Sequence, residues 1–173
     1  MRILFLLLFL FITHAVTAQK TDSLFLDAAI TKLQNSKEYT LKVANLMPEE
    51  KYGFKPVPDE MSFGEQLLHI SANLSWLTSS YITNVKATVT KAAKQVQKKE
   101  EIIQLLKKTY DFAISALKLF EASHLTDTVS FFAGPKTKLQ IINLISDHQT
   151  HHRGQMIVYL RLNGIKPPEY IGW

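Results

Sequence analysis

Cysteine is absent from the 173 residues, and this absence removes several classes of protein. Without thiols the chain forms no disulfide scaffold, no thiolate zinc site and no iron–sulfur cluster, and it has no cysteine nucleophile. A glycine-rich phosphate loop and a GxSxG motif are also missing from the sequence. Their absence argues against a P-loop nucleotide-binding protein and against an α/β-hydrolase with a serine nucleophile.

A strong excess of either charge is missing as well. Lys and Arg total 20 and Asp and Glu total 15, which gives a net charge of +5. This balance indicates only a weak preference for anions. The lysine-rich stretch 86–108 has no interleaved aromatic residues for base stacking. We interpret it as mainly a solvated connection and expect no nucleic-acid partner.

The first 18 residues, MRILFLLLFLFITHAVTA, have the pattern of a secretory signal peptide. Arg2 supplies the positive charge, residues 3–12 form the apolar run, and Val16 and Ala18 stand at −3 and −1 of a cut after Ala18. The alternative is a retained anchor, but a membrane-spanning helix needs about 20 apolar residues. We therefore expect a periplasmic or secreted protein that touches the membrane only through this segment before cleavage.

The remaining residues, 19–173, are predicted to form one domain, since 46% of the chain is hydrophobic and a core can form. Apolar residues recur at helical spacing in four stretches: 23–46, 62–82, 99–121 and 137–163. Ser62 and Glu65 have the spacing of a capping box, and Gly164 follows the last helix. No segment shows the alternation of apolar and polar residues that is typical of strands. The pattern therefore predicts an all-α four-helix bundle with a long crossover between helices 2 and 3.

Two histidines one turn apart are the most informative residues. On a helical wheel of about 100° per residue, His148 and His152 lie in the apolar stripe of the fourth helix, with His151 at its edge. A divalent metal ion is one way to accommodate two such imidazoles, because it accepts neutral ring nitrogens at i and i+4. The alternative is a pair of histidines hydrogen-bonded to carbonyl groups or water. Arg153 falls near 140° from His148 and is interpreted as a salt-bridging residue or a residue of a homodimer surface.

A metal site with two histidines needs another ligand from elsewhere in the chain. His14 leaves with the signal segment, so His69 and His124 remain. His124 lies in a loop that we expect to be exposed, whereas His69 lies at the boundary of the apolar stripe of helix 2. A boundary position suits a ligand that faces a cleft, and it suits a surface histidine equally well.

Two segments of the chain resemble the DinB-like family of small four-helix metal-binding proteins. They are PEEKYGFKPVPDEMSFGEQLLHI, which ends just beyond His69, and HQTHHRGQMIVYLRLNGIKPP, which begins at His148. The likeness covers residues 22–168, and the pattern HxxxHRGQ paired with one upstream helical histidine is fairly specific.

The resemblance implies that His69, His148 and His152 bind a divalent metal ion, which in this family is zinc, nickel or iron. Water or substrate would complete the coordination. Some relatives are transferases or isomerases that use a low-molecular-weight thiol, which would be scarce outside the membrane. The resemblance therefore implies a metal-dependent enzyme, a hydrolase or transferase, acting on an unidentified small molecule. The alternative is a non-catalytic metal- or ligand-binding stress-related protein on the same bundle.

Three residues are candidates for catalytic roles beside the metal, and each has an ordinary structural alternative. Glu65 is one turn before His69 and would act as a base, or it would only cap the helix. Gln155 would orient substrate, or it would bond across helices. Tyr159 would donate a proton, or it would pack in the core. Trp76 is a candidate wall of the pocket, with ordinary packing as its alternative.

Cleavage after Ala18 predicts a mature chain that begins at Gln19, open or cyclised. Mass spectrometry or N-terminal sequencing of exported protein checks this start. Recovery of the uncut chain firmly held in membranes would contradict the prediction and favour an anchor.

Overall fold

The computed structural model describes residues 2–86 and 98–172, and it describes side chains for residues 22–86 and 98–172. The described residues form four α-helices and one small β-hairpin. The elements are α1 (Arg2–Leu46), α2 (Phe63–Leu77), α3 (Lys99–Lys118), β1 (Thr128–Val129), β2 (Lys136–Thr137) and α4 (Lys138–Leu162). The predicted four-helix architecture is confirmed. Among the described residues, no helix is long and apolar enough to cross a bilayer.

The helices form a bundle in which α1 and α2 each pack against both α3 and α4. Lys37 of α1 pairs with Asp111 of α3, while Lys99 at the start of α3 donates to the carbonyl of Asn45, so these helices are antiparallel. Ser36 and Thr40 contact Gln149 and Arg153 in the same order along α4, so α1 and α4 are parallel.

Contacts between α2 and α4 run in opposite order, because Gln66 meets Gln155 whereas His69 meets His148. It follows that α2 and α3 point in the same direction. The end of α2 and the start of α3 therefore lie at opposite ends of the bundle, which fits the predicted crossover. Residues 87–97 of that connection lie outside the described residues.

Local sequence signals set where the site-bearing helices begin. The backbone N–H of Glu65 donates to Ser62 Oγ at 3.2 Å, and the N–H of Ser62 donates to Glu65 Oε2 at 2.7 Å. This capping box starts α2, which places His69 about two turns into the helix. A second box, between Thr137 and Gln140, starts α4.

The core that fixes α2 is made of apolar side chains at helical spacing. Each contributes on the order of 2 kcal/mol when fully buried. These residues are Phe63, Leu67, Ile70, Leu74 and Leu77.

Three details differ from the sequence prediction. Helix α1 begins at Arg2 and not near residue 23, since no glycine or proline precedes Pro48 to break it. Helix α3 ends at Lys118, three residues before the predicted end.

The predicted signal peptide, 1–18, lies outside the residues whose side chains are described, and it stays a prediction.

The third difference is the β-hairpin, since no strand was predicted. Thr128 pairs with Thr137 and Val129 with Lys136 in antiparallel register. The connecting loop contains Gly134 with a φ of 91°, a conformation that glycine adopts without strain. Two-residue strands are too short to show alternation, so the sequence pattern could not reveal them.

Candidate metal centre

The bundle brings together three histidines that are far apart in sequence. His69 projects from α2, and His148 and His152 project from α4 one turn apart. One potential ligand nitrogen from each ring lies within 4.8 Å of the other two. The ring centroids are 4.9 Å apart for His69 and His148, and 4.5 Å for each of the other two pairs. The cluster consists of the three residues implied by the resemblance.

His152 is held in a defined orientation by a glutamine on the facing helix. Its Nδ1 lies 2.6 Å from Oε1 of Gln66, which is fully buried. An amide oxygen only accepts, so this contact assigns the ring proton to Nδ1 and leaves the Nε2 lone pair free. A metal-binding histidine is usually oriented in this way through its other nitrogen.

The contact between His69 and His148 also fits a shared cation. Their Nε2 atoms are 3.1 Å apart, close to the roughly 3.3 Å expected for two nitrogens on one tetrahedral zinc ion. Without a metal, one ring must donate a proton to the other. Nδ1 of His148 is buried and has no hydrogen-bond partner in the part of the chain that the structure describes. Three imidazole nitrogens at this spacing are a suitable donor set for a divalent ion.

Burial keeps two of these imidazoles neutral. Desolvation, together with the neighbouring rings, lowers the pKa of His148 and of His152 to about 4 from the ordinary 6.5. At neutral pH both rings therefore carry a free lone pair. At neutral pH, protons would therefore hardly compete with a metal ion for the ring nitrogens of His148 and His152.

Glu65 is engaged in its structural role. Its carboxylate accepts the backbone N–H of Ser62 and lies 3.3 Å from Nζ of Lys55. The backbone hydrogen bond is the largest contribution that lowers the pKa of Glu65. A carboxylate committed to a helix cap and stabilised in its charged form is a poor general base.

Gln155 and Tyr159 both join the hydrogen-bond network around Gln66. The amide nitrogen of Gln66 donates to Oε1 of Gln155, and it lies 3.4 Å from the hydroxyl of Tyr159. Tyr159 donates its own proton to the carbonyl of Met61 at 2.9 Å. Gln155 therefore bonds across helices while half-buried beside the cluster, and Tyr159 is a packed core residue whose proton is already committed.

The other two histidines described with side chains lie outside the cluster, as expected. His151 is exposed and its Nε2 accepts from Gln155 at 3.0 Å. His124 lies in the exposed loop after α3 and bonds to Asp127 at 2.8 Å.

Trp76 belongs to an aromatic cluster on the same face of α2 as His69. It follows His69 by seven residues, which is about two turns or roughly 10 Å along the helix. Its ring stacks on Phe131 at 5.9 Å and meets Tyr81 edge-on at 5.8 Å, while 38% of the residue stays exposed. Packing with the hairpin loop is thus its observed role.

The interpretation of Arg153 was wrong, because this residue is buried. Only 5% of it is exposed, and it forms no ion pair within the described residues. Helix α4 packs against both α1 and α2, so its buried arc is wider than one apolar stripe. Met156 and Leu160 lie within about 60° of Arg153 on the helical wheel and are buried on the same side. These two apolar residues were the sequence feature from which the burial of Arg153 could have been predicted.

Gln66 is the residue that sequence reasoning missed. A glutamine among the buried apolar positions of α2 was the available signal, since a buried amide requires partners. Its partner, His152, is 86 residues away and could not be named from helical spacing.

Comparisons with known proteins identify relatives of this chain. A family model described as the DinB family matches residues 19–171. The uncharacterized protein YjoA of Bacillus subtilis is 25% identical over 142 residues, which cover 78% of this chain and 88% of YjoA.

Two solved structures share the fold. The crystal structure of the DinB-like YjoA from Bacillus subtilis superposes with a TM-score of 0.69 at 20% identity, covering 84% of this chain and 97% of that one. A DinB-like protein from Bacillus cereus gives a TM-score of 0.71 at 23% identity, covering 84% of this chain and 95% of that one.

The cluster predicts which histidines a metal ion requires. His148→Ala and His152→Ala are each expected to abolish stoichiometric metal binding, and His69→Ala to weaken it severely, because each removes one ligand. Elemental analysis of purified variants measures this. His151→Ala and His124→Ala are the matched controls and should bind normally; equal loss in His151→Ala would place the metal on a different face of α4.

The lowered pKa values predict how the metal-free protein responds to acid. The folded state holds His148 and His152 at a pKa of about 4, below the ordinary 6.5, so it binds fewer protons than the unfolded state. Their contribution to stability is complete above about pH 6.5 and is lost as the pH falls toward 4. Urea midpoints at pH 7, 5.5 and 4 measure the loss. A doubly substituted His148→Gln, His152→Gln protein should show a flatter profile, and identical profiles would contradict the prediction.

Proposed function

Because this chain belongs to the DinB family, we propose that it is an exported protein that binds a divalent metal ion through His69, His148 and His152 and acts as a metal-dependent hydrolase or transferase. The observation that carries the proposal is the convergence of three imidazole rings, one of them oriented by a buried glutamine. Zinc, nickel and iron all accept imidazole ligands, so the donor set leaves the choice among them open.

Three neutral histidines leave a divalent ion its full charge and open coordination positions, which supplies Lewis-acid chemistry for hydrolysis or group transfer. The chain's own contribution is to orient the ligands. Gln66 fixes the ring of His152 and, through its amide nitrogen, ties that ring to Gln155. The half-buried Gln155 lies between this buried network and the exposed His151, a position from which its amide can orient a substrate group.

The aromatic cluster on the same face of α2 as His69 suits a ligand that is partly apolar. Trp76 and Phe131 present stacked rings about two turns along α2 from His69, and Phe132 next to them is 84% exposed. Aromatic faces of this kind contact planar or apolar portions of a small molecule favourably.

A second function, metal or ligand binding without catalysis, is favoured by one specific observation. The metal-ligand cluster found among the described residues contains no carboxylate, Glu65 caps its helix, and the proton of Tyr159 is donated to Met61. The remaining imidazole near the cluster is that of His151, whose ring centroid lies 4.9 Å from that of His152 and whose Nε2 accepts from Gln155. In this alternative the same ligands would store or sense the metal.

The enzymatic proposal predicts turnover that depends on the cluster. Purified mature protein, loaded separately with zinc, nickel or iron, is assayed against ester, amide and phosphoester substrates and in a thiol-transfer screen. Activity is expected with at least one metal, and His152→Ala should lower it by at least 100-fold because a ligand and its orienting contact are both lost. His151→Ala is the matched control, since it removes an adjacent exposed imidazole.

Two results would oppose the catalytic proposal in different ways. Stoichiometric metal binding without turnover in any loaded form would favour the non-catalytic alternative. Turnover that persists in His152→Ala and His148→Ala would mean that the activity does not arise at the three histidines.

A further inference from the structure

The orientation of the Gln66 amide decides which nitrogen of His152 is open to a metal ion. With its oxygen 2.6 Å from Nδ1, the ring carries its proton on Nδ1 and keeps a lone pair on Nε2. A half-turn about the last side-chain bond would exchange the oxygen and the nitrogen of the amide with little change of shape. The NH₂ group would then face Nδ1, the proton of the neutral ring would lie on Nε2, and the lone pair needed for a metal would be lost.

Two of the three side chains that bond to this amide, within the part of the chain that the structure describes, do not distinguish the two orientations. His152 itself donates or accepts at Nδ1, according to its tautomer. Gln155 can present either its oxygen or its nitrogen to Gln66, because it is half-buried and its other end meets the exposed His151. A reversal of all four groups together would preserve their hydrogen bonds.

Tyr159 is the exception, because the direction of its hydrogen bond is fixed. Its hydroxyl lies 2.9 Å from the backbone carbonyl of Met61, which only accepts, so the hydroxyl proton is used there. Toward Gln66, 3.4 Å away, the hydroxyl oxygen then offers only a lone pair. It therefore favours the NH₂ group on its side and directs the amide oxygen to His152. At 3.4 Å this bond is long, so its effect is a shift of population between the two orientations.

Both ends of this link are held by the fold. Met61 immediately precedes Ser62, whose capping box starts α2. The ring of Tyr159 is buried on α4, and Phe54 packs edge-on against it with 5.8 Å between the ring centroids. A backbone carbonyl in a fixed place thus sets the direction of the hydrogen bond that Tyr159 makes with Gln66.

We propose that Tyr159 is a positioning residue of the metal site: by accepting from Gln66, its hydroxyl keeps the amide oxygen on His152 and holds the Nδ1–H tautomer, which leaves Nε2 for a metal ion. This role rests on the proposed metal binding. The tautomer itself is a property of the metal-free protein and is measured without a metal. The task differs both from donating a proton to a substrate and from packing in the core.

The first test is the tautomer of His152 in metal-free protein labelled with ¹⁵N-histidine. Protonated and unprotonated nitrogens of a neutral imidazole have well-separated ¹⁵N shifts, and comparison with His152→Ala assigns the signals. At neutral pH the wild-type ring is expected as the Nδ1–H tautomer. Tyr159→Phe removes only the hydroxyl, and the ring is expected to become a mixture of the two tautomers, because the amide then loses the group that fixes its direction.

Tyr110→Phe is the matched control. Tyr110 is buried as well, and its hydroxyl contacts Ser36 and Thr40 on α1, away from Gln66. This variant loses a buried hydroxyl but should keep the Nδ1–H tautomer of the wild type. The proposal is overturned if the wild-type ring carries its proton on Nε2, if Tyr159→Phe retains the wild-type tautomer, or if both variants change it equally.

Zinc affinity, measured by competition with a chelator, tests what the tautomer contributes to binding. Tyr159→Phe is expected to weaken zinc binding at least threefold, and Tyr110→Phe less than twofold. Gln66→Met removes the amide through which Tyr159 acts, so adding Tyr159→Phe to it should change the affinity less than twofold. An undiminished effect of Tyr159→Phe in the Gln66→Met background would show a path that bypasses the amide and would overturn the proposal.

The two measurements separate this inference from the proposed function. A wild-type protein that binds no zinc, nickel or iron would contradict the proposed function, whereas the tautomer in the metal-free protein decides the role of Tyr159 by itself. Should Tyr159→Phe fail to fold, an Nε2–H ring in wild-type His152 would still overturn the proposal.

Discussion

The contact between Gln66 and His152 is the interaction on which the rest of the site depends. Gln66 is fully buried, so its amide must find partners inside the bundle or destabilise it. Its oxygen accepts from His152, and its nitrogen donates toward Gln155 and Tyr159. These hydrogen bonds form at the same time only when α2 and α4 pack in one register. The same register brings His69 against His148. The polar network therefore fixes both the packing of two helices and the position of the ligands.

Helix α4 carries two different polar clusters because it has two neighbours. On the side of α2 it presents neutral imidazoles, whose low pKa values reflect burial beside one another. On the side of α1 it presents Arg153 with Gln149, bonded to hydroxyls of α1. Helix α4 therefore presents neutral rings to α2 and a guanidinium to α1.

The distinction between catalysis and simple binding depends on proton transfer. Apart from the exposed imidazole of His151, the polar side chains around the cluster are amides and a hydroxyl whose protons already have acceptors, and the nearby carboxylate of Glu65 caps a helix. Chemistry at such a site would rest mainly on the charge of the metal, with proton transfer left to water or to substrate. Membership of the DinB family and a shared fold with YjoA establish the scaffold, while the reaction is a property of side chains around the cluster.

The four helices and the histidine pair of α4 could be predicted from local patterns in the chain. Helical spacing, the capping boxes at Ser62 and Thr137, and Gly164 act within one or two turns, so their consequences are visible in the chain. The i, i+4 spacing of His148 and His152 is local in the same sense. Two features depend on tertiary packing: Gln66 orients His152, and Arg153 is buried against Ser36, which is 117 residues away. Both features depend on which helices are neighbours in the bundle. The apolar periodicity of one helix indicates which of its faces is buried, but it does not indicate which other helix packs against that face.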